Sequence, residues 1–194
     1  MIASSGDLES LLVLESFRSS VAGYDPLHTQ AIQMNMLSNA PNFLPLGSAD
    51  RGWLLDLFRD VSLRAALYPA DLPPPSPQQA VGEWLEAPSM ADARLAMWLD
   101  GVPVGVIATE AGTVSYAVAA PYRGQGLASA ALEAIGAEQD WRATVARSNG
   151  PSRRVLEKAG FSFAGLVQSA HGIALLNFYR RRTQAPVRRI HQHD

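Results

Sequence analysis

The chain has 194 residues, 47% of them hydrophobic and 18% charged, proportions that suit one globular domain with a real core and leave little room for a second. It contains no cysteine, which excludes disulfides, thiolate metal sites and a cysteine nucleophile. The formal net charge of -2 gives no argument for a nucleic-acid partner, and no apolar run has the length of a membrane span.

Residues 1–40 read as an extension. Leu8, Leu11, Leu12, Val13, Leu14 and Phe17 crowd one short segment, which is too apolar for a disordered tail. It is expected to be helical and to pack on the domain or on a second copy, as in a homodimer. Asp7 and Glu9 precede this run, where a secretory signal carries Lys or Arg, so the chain reads as cytoplasmic. Asn42 to Leu46 reads as a short strand. Ser48 then caps a helix through Trp53, Leu54, Leu55, Leu57 and Phe58. Pro73, Pro74, Pro75 and Pro77 exclude regular helix and central strand, and make the stretch from Tyr68 to Pro77 a stiff loop. Gln78 to Leu85 resumes as helix.

The clearest local signal is Asp100-Gly101 between the apolar runs Leu95 to Leu99 and Val102 to Ala108. Both turn residues tolerate positive φ, the requirement of a tight hairpin. Ala111-Gly112 makes a second turn and Val114 to Ala119 a third strand. A glycine-rich turn, Gly124 to Gly126, opens a helix on which Leu127, Ala131 and Ile135 recur. Thr144 to Ala146 is a strand entered at Trp141. Pro151 to Ala159 is a helix stopped by Gly160, a left-handed C-cap. Phe161 to Gln168 and Ile173 to Tyr179 close the sequence of elements. Residues 181–194 form a basic, partly disordered tail, in which His191 and His193 are solvated rather than metal ligands. Meander, helix, strand, helix and hairpin make a mixed α/β (α+β) domain with one sheet.

Chemistry concentrates at Tyr122-Arg123-Gly124-Gln125-Gly126-Leu127-Ala128, which follows a strand and opens a helix. Successive N–H groups of such a turn point outward at a positive helix terminus, a geometry that binds pyrophosphate. Glycine at 124 and 126 permits unusual φ and close approach, and Arg123 adds a charge-assisted contact. A P-loop requires Gly-Lys-Ser or Gly-Lys-Thr, which is absent. A dinucleotide fingerprint requires Gly or Ala where Ser129 stands, and an acidic residue on the next strand, which has none.

Arg123-Gly124-Gln125-Gly126-Leu127-Ala128 resembles the Arg/Gln-x-x-Gly-x-Gly/Ala signature of GNAT acetyltransferases. Asn149-Gly150-Pro151-Ser152 resembles the Asn-x-x-Ser of part of that superfamily. Leu156-Glu157-Lys158-Ala159-Gly160-Phe161 is similar to the run that follows it, familiar from the ribosomal-protein N-terminal acetyltransferase branch. The resemblance is strong from Ala93 to Val167 and extends from Asn42. It implies a GNAT fold over residues 41–180: one mixed, mostly antiparallel sheet with a splayed central strand pair, flanked by helices. It further implies acetyl-CoA as cosubstrate, no metal, and a primary amine as acceptor, either a protein N-terminus or a small molecule.

Placed on this sequence, the resemblance implies that pantetheine pairs with the backbone of Tyr116, Ala117, Val118 and Ala119. The Val118 N–H polarises the thioester carbonyl. The pyrophosphate sits on Arg123, Gly124, Gln125, Gly126, Leu127 and Ala128, Asn149 and Arg153 add further coenzyme contacts, and Arg154 is a second arginine in reach of phosphates. Asn149 also reads as a helix N-cap. Attack requires a neutral amine, a polarised carbonyl and a stabilised or protonated thiolate. Glu110, at the end of a meander strand, is the expected base, against a plain reading as a solvated turn residue. Ser152 is the expected acid, because its family counterpart lies near the coenzyme sulfur, against a plain reading as an exposed hydroxyl in a first helical turn; the tyrosine that many members carry near the position of Leu156 is missing here. Two other readings remain open at this stage: a coenzyme A-binding module without catalysis, and transfer of a longer acyl chain.

Overall fold

The computed structural model describes residues 41–70, 73–86, 93–136, 139–169 and 171–182. The expectations for residues 1–40 and for the tail from 183 onward lie outside the described residues.

Two tight turns set the middle of the sheet. Strand β2 (Ala93–Leu99) returns as β3 (Val102–Glu110) through Asp100 and Gly101, at φ 50° and 76°. Strand β3 returns as β4 (Thr113–Val118) through Ala111 and Gly112, at φ 47° and 76°. These are the positive-φ pairs that let two residues reverse a twisted ribbon. Strand β1 (Asn42–Pro45) pairs with β2 at the outer edge. Strands β5 (Trp141–Ala146), β6 (Ser162–Gln168) and β7 (Ala174–Arg180) complete a seven-stranded sheet of order β1-β2-β3-β4-β5-β7-β6. Every pairing is antiparallel except that of β4 with β5.

Helices cover both faces. On one face, α4 (Leu127–Ala134) and α5 (Gly150–Lys158) bury Leu132 and Leu156 against Met97, Ile107, Val114 and Phe178. On the other, α1 (Arg51–Phe58), α2 (Val61–Leu67) and α3 (Pro77–Leu85) bury Leu54, Phe58, Val81 and Trp84 against Val106 and Ala117. The period of two along the strands divides their side chains between these cores. Arg180, on the last strand, ties α4 and α5 to the sheet. Its guanidinium donates to the carbonyls of Leu132 (3.0 Å), Gly136 (2.6 Å) and Ala159 (3.4 Å), and lies 4.8 Å from the centre of the Phe161 ring. A cation is favourable where helix carbonyls converge.

Two local expectations are corrected. Ser48 begins a short 3-10 turn rather than capping a helix, and the α-helix starts at Arg51 with Asp50 as its N-cap residue. Pro77 lies inside α3, at its first turn, where a missing N–H costs nothing. Its cap is Ser76, which accepts from the Gln79 N–H at 3.3 Å while Gln79 answers to the Ser76 N–H at 2.9 Å. The segment after Phe58, which no local signal announces, holds a further helix, α2. Its start is set by Asp60, whose Oδ1 accepts from the N–H groups of Ser62 (2.9 Å) and Leu63 (3.2 Å).

Gly105, on β3, lies between Met97 of β2 and Val118 of β4. A Cβ there would stand 2.4 Å from the Ala117 carbonyl oxygen and 2.7 Å from Met97 Cε. Gly105→Ala should therefore cost about 1–3 kcal/mol of unfolding free energy by overpacking, read from the urea midpoint. An unchanged midpoint would show that the centre of the sheet yields at that point.

Candidate active site

Strands β4 and β5 run parallel but pair at one position only, Thr113 opposite Arg142. Beyond it they part. On its other side β4 stays bonded to β3 in register, with Val106 opposite Ala117, and the Ala119 N–H donates to the Val104 carbonyl at 2.9 Å. Antiparallel pairing engages alternate residues. It therefore uses the main chain of Ala117 and Ala119 and turns that of Tyr116 and Val118 towards the opening. A cleft of about 760 Å³ occupies the gap.

The glycine turn forms one wall. Gly124 and Gly126 both have positive φ, 81° and 83°, and Gly126 is the left-handed N-cap residue of α4. Gly124, Gly126, Leu127 and Ala128 line the cleft beside Arg123. The opposite wall is α2, which contributes Ser62, Leu63, Ala65, Ala66 and Leu67. Arg123 spans the two walls. Its Nε donates to the Val118 carbonyl and its Nη2 to Asp60 Oδ2, both at 2.9 Å. Asp60 is the residue that caps α2. Its carboxyl is held down to about 2, first by the Ser62 hydroxyl, against a burial that pushes it up, and then by Arg123 and the backbone N–H groups of Leu63 and Ser62.

Helix α5 closes the far end. Asn149 Oδ1 accepts from the Ser152 N–H at 3.1 Å, so Asn149 is the N-cap and also lines the cleft. Capping places the Ser152 hydroxyl in the first turn, where it shares a 2.7 Å hydrogen bond with the Tyr116 hydroxyl from β4. The Tyr116 hydroxyl also donates to the Ser152 carbonyl at 3.3 Å. Burial raises the Tyr116 phenol above its ordinary range and the bond to Ser152 partly opposes this, so the group is a protonated phenol at neutral pH. Both residues also border a smaller cavity of about 50 Å³ within the gap, together with Ser115 and Thr144.

The structure thus brings Tyr116, Ala117, Val118, Arg123, Gly124, Gly126, Leu127, Ala128, Asn149 and Ser152 to one cleft. Four expected residues are not brought there. Ala119 spends its N–H on β3. Gln125 is exposed and its side chain donates to the Pro121 carbonyl at 3.4 Å. Arg153 points away from the face of α5 that lines the cleft. That face repeats as Pro151, Arg154, Val155 and Lys158, the i, i+3, i+4, i+7 spacing of one helix side, so Arg154 and Lys158 supply the cations. Glu110 ends β3 opposite Thr113, at the closed end of the gap. Its side chain is 72% exposed and lies 3.6 Å from Arg94. Ile107, not Glu110, is the β3 residue opposite Tyr116, which leaves Glu110 about 10 Å further along the strand. Sequence reasoning missed α2, Lys158 and the Tyr116 hydroxyl. Among the described residues no group of three or more His, Asp or Glu is placed to hold a metal, and no helix is long and apolar enough to cross a membrane.

The Asp60 carboxylate has a pKa below its unfolded value of 3.8. Its stabilising contribution is therefore complete above pH ~4 and lost as pH falls towards about 2. Asp60→Asn retains a capping side chain but cannot titrate. Its melting temperature should decline less than that of the wild type between pH 4 and 2. An equal decline would remove the Asp60 carboxylate from the acid sensitivity of the fold.

The Acetyltransferase (GNAT) family profile matches residues 62–161, just over half of the chain. No curated protein sequence matches it. Solved structures that share its fold include the following three. An acetyltransferase from Salmonella typhimurium that modifies the N-terminal serine of 50S ribosomal subunit protein L7/L12 is 15% identical, with a TM-score of 0.62 over 76% of this chain and 98% of that one. The aminoglycoside acetyltransferase AAC(6')-Ib, in complex with ribostamycin and coenzyme A, is 17% identical, with a TM-score of 0.60 over 74% of this chain and 94% of that one. Spermidine N-acetyltransferase from Vibrio cholerae, in complex with CoA and spermine, is 14% identical, with a TM-score of 0.58 over 73% and 95%. The seven-stranded sheet that parts between β4 and β5, the glycine turn at the mouth of the gap and the family match agree: this chain belongs to the GNAT family of acetyltransferases, acyltransferases whose cosubstrate is acetyl-CoA.

Proposed function

We propose that the protein transfers an acetyl group from acetyl-CoA to a primary amine by direct attack within a ternary complex. The observation that carries this reading is the single β4–β5 pairing at Thr113 and Arg142. It leaves a strand edge free beside a phosphate-ready turn, which suits a ligand with an amide-bearing arm and a pyrophosphate. The cleft residues fit such a ligand. Gly124 and Gly126 open the turn, and Arg123, Arg154 and Lys158 border the same cleft as the polar main chain of β4. When bound, acetyl-CoA supplies an activated thioester.

The protein's own groups divide the remaining work. Val118 donates its N–H to the thioester carbonyl oxygen and so favours the charge that develops there. Tyr116 and Ser152 hold a shared proton and pass one to the sulfur as the carbon–sulfur bond breaks. The amine nitrogen forms the new bond to the acetyl carbon and gives its surplus proton to water, which returns one to the hydroxyl pair. Glu110 is not carried forward as the base, because it stands outside the cleft. Helix α2 and the loop that begins at Tyr68 border the side from which the acceptor enters. Leu67, the last residue of α2, touches both cavities. The acceptor is a protein N-terminus or a small-molecule amine. The structural likeness to the enzyme acting on protein L7/L12, together with the Leu156-to-Phe161 run, supports the former.

Two substitutions test the assignment. Gly126→Asp places a carboxylate at the phosphate turn and should weaken acetyl-CoA binding by roughly tenfold or more, ~1.4 kcal/mol; calorimetry showing wild-type affinity in a folded variant would contradict the site. Tyr116→Phe and Ser152→Ala should each lower kcat by roughly 10²- to 10⁴-fold, with the KM for acetyl-CoA within about twofold of wild type. Variants that keep wild-type kcat on an amine panel would remove the hydroxyl pair from the mechanism.

A further inference from the structure

Asp60 has two duties on two oxygens. Oδ1 accepts from the Ser62 hydroxyl at 2.6 Å and from the N–H groups of Ser62 and Leu63, which closes the start of α2. Oδ2 accepts from Arg123 Nη2 at 2.9 Å, 63 residues away in sequence. The second bond crosses the mouth of the cleft, from the α2 wall to the glycine-turn wall. It is half-exposed, with side-chain accessibilities of 45% for Arg123 and 32% for Asp60, so solvent and salt reach it.

The capping duty does not require a charge, since Asn and Ser cap as well as Asp. What the charge adds is a neutralised Arg123. Guanidinium has five N–H donors. Two are used here, on Val118 and Asp60, so a phosphate at the turn would meet a cation that already has a carboxylate against it. A cleft built for an anionic ligand thus carries a fixed anion at its phosphate turn.

On the reading that this cleft takes coenzyme A, we infer that Asp60 is a positioning residue that competes with the coenzyme's phosphates for Arg123. It holds the two walls together when the cleft is free, and it weakens coenzyme binding so that the spent coenzyme leaves. Arg123 is exchanged between an internal carboxylate and an external phosphate. Its bond to the Val118 carbonyl keeps the guanidinium at the end of β4 in either state.

The test uses the full chain and coenzyme A itself. Dissociation constants are measured by calorimetry for the wild type, Asp60→Asn, Asp60→Ser, Arg123→Gln and the double variant Asp60→Asn/Arg123→Gln. Both neutral caps should bind coenzyme A about two- to fivefold more tightly than wild type, the scale of a half-exposed ion pair. The gain should shrink at high salt. In the Arg123→Gln background, the Asp60→Asn gain should disappear, because the cation being contested is gone. A merely structural Asp60 would instead lower the melting temperature and leave affinity unchanged or weaker. Overturning results are neutral caps that bind no tighter than wild type, or a gain that persists without Arg123. A wild-type chain with no measurable affinity for coenzyme A would defeat the functional reading and this inference together, whereas affinity without the Asp60 effect defeats this inference alone.

Discussion

The parting of β4 from β5 beyond Thr113 and Arg142 is the constraint on which the rest depends. A strand in the middle of a sheet ordinarily satisfies its main chain on both sides. Here β4 does so fully only towards β3. The alternation of an antiparallel ladder then decides which residues face the gap, and it selects Tyr116 and Val118. One is expected to polarise a carbonyl with its N–H. The other brings a hydroxyl to Ser152. The geometry of bonding on one edge of β4 thus prepares the chemistry on its other edge.

What surrounds the gap keeps it open and polar. Two helix beginnings point into it: the glycine turn before α4 and the Asn149 cap before α5. Helix N-termini favour negative charge. Arg154 and Lys158 add formal charge along α5, while Arg123 is balanced by Asp60. At the other end of these helices, Arg180 gathers the carbonyls of Leu132, Gly136 and Ala159. The last strand thereby fixes both helices that wall the cleft, although it contributes nothing to the lining. Packing and site are coupled through that one guanidinium.

Features written in adjacent residues were legible. Asp100-Gly101, Ala111-Gly112, Gly124-Gln125-Gly126 and the Asn149 cap each declare a backbone conformation locally, and each stands where expected. The mixed, mostly antiparallel sheet with a splayed central pair follows through the family resemblance, while the strand order is given by the structure alone. Features that depend on distant partners were not legible. Tyr116 and Ser152 are 36 residues apart, and no local pattern aims one hydroxyl at the other. Helix α2 was hidden because its apolar residues continue those of α1, and only the two-residue break at Arg59 and Asp60, with its Asp cap, separates them. Arg153 and Arg154 both read as able to reach phosphates, and helical phase separates them: Arg154 falls on the lining face of α5. Glu110 was misplaced because its proximity to β4 along the chain is not proximity to the open end of the gap: the hairpin turn carries it to the closed end.

The central claim is that the edge of β4 facing the gap receives the coenzyme. Residue-resolved amide hydrogen exchange, with and without saturating coenzyme A, tests it most directly. The account predicts that the ligand slows exchange at the Tyr116 or Val118 amide, or at both, while Ala117 and Ala119, already bonded to β3, change little. Unchanged exchange at Tyr116 and Val118 in a chain demonstrably saturated with coenzyme A would place the ligand elsewhere and contradict the account.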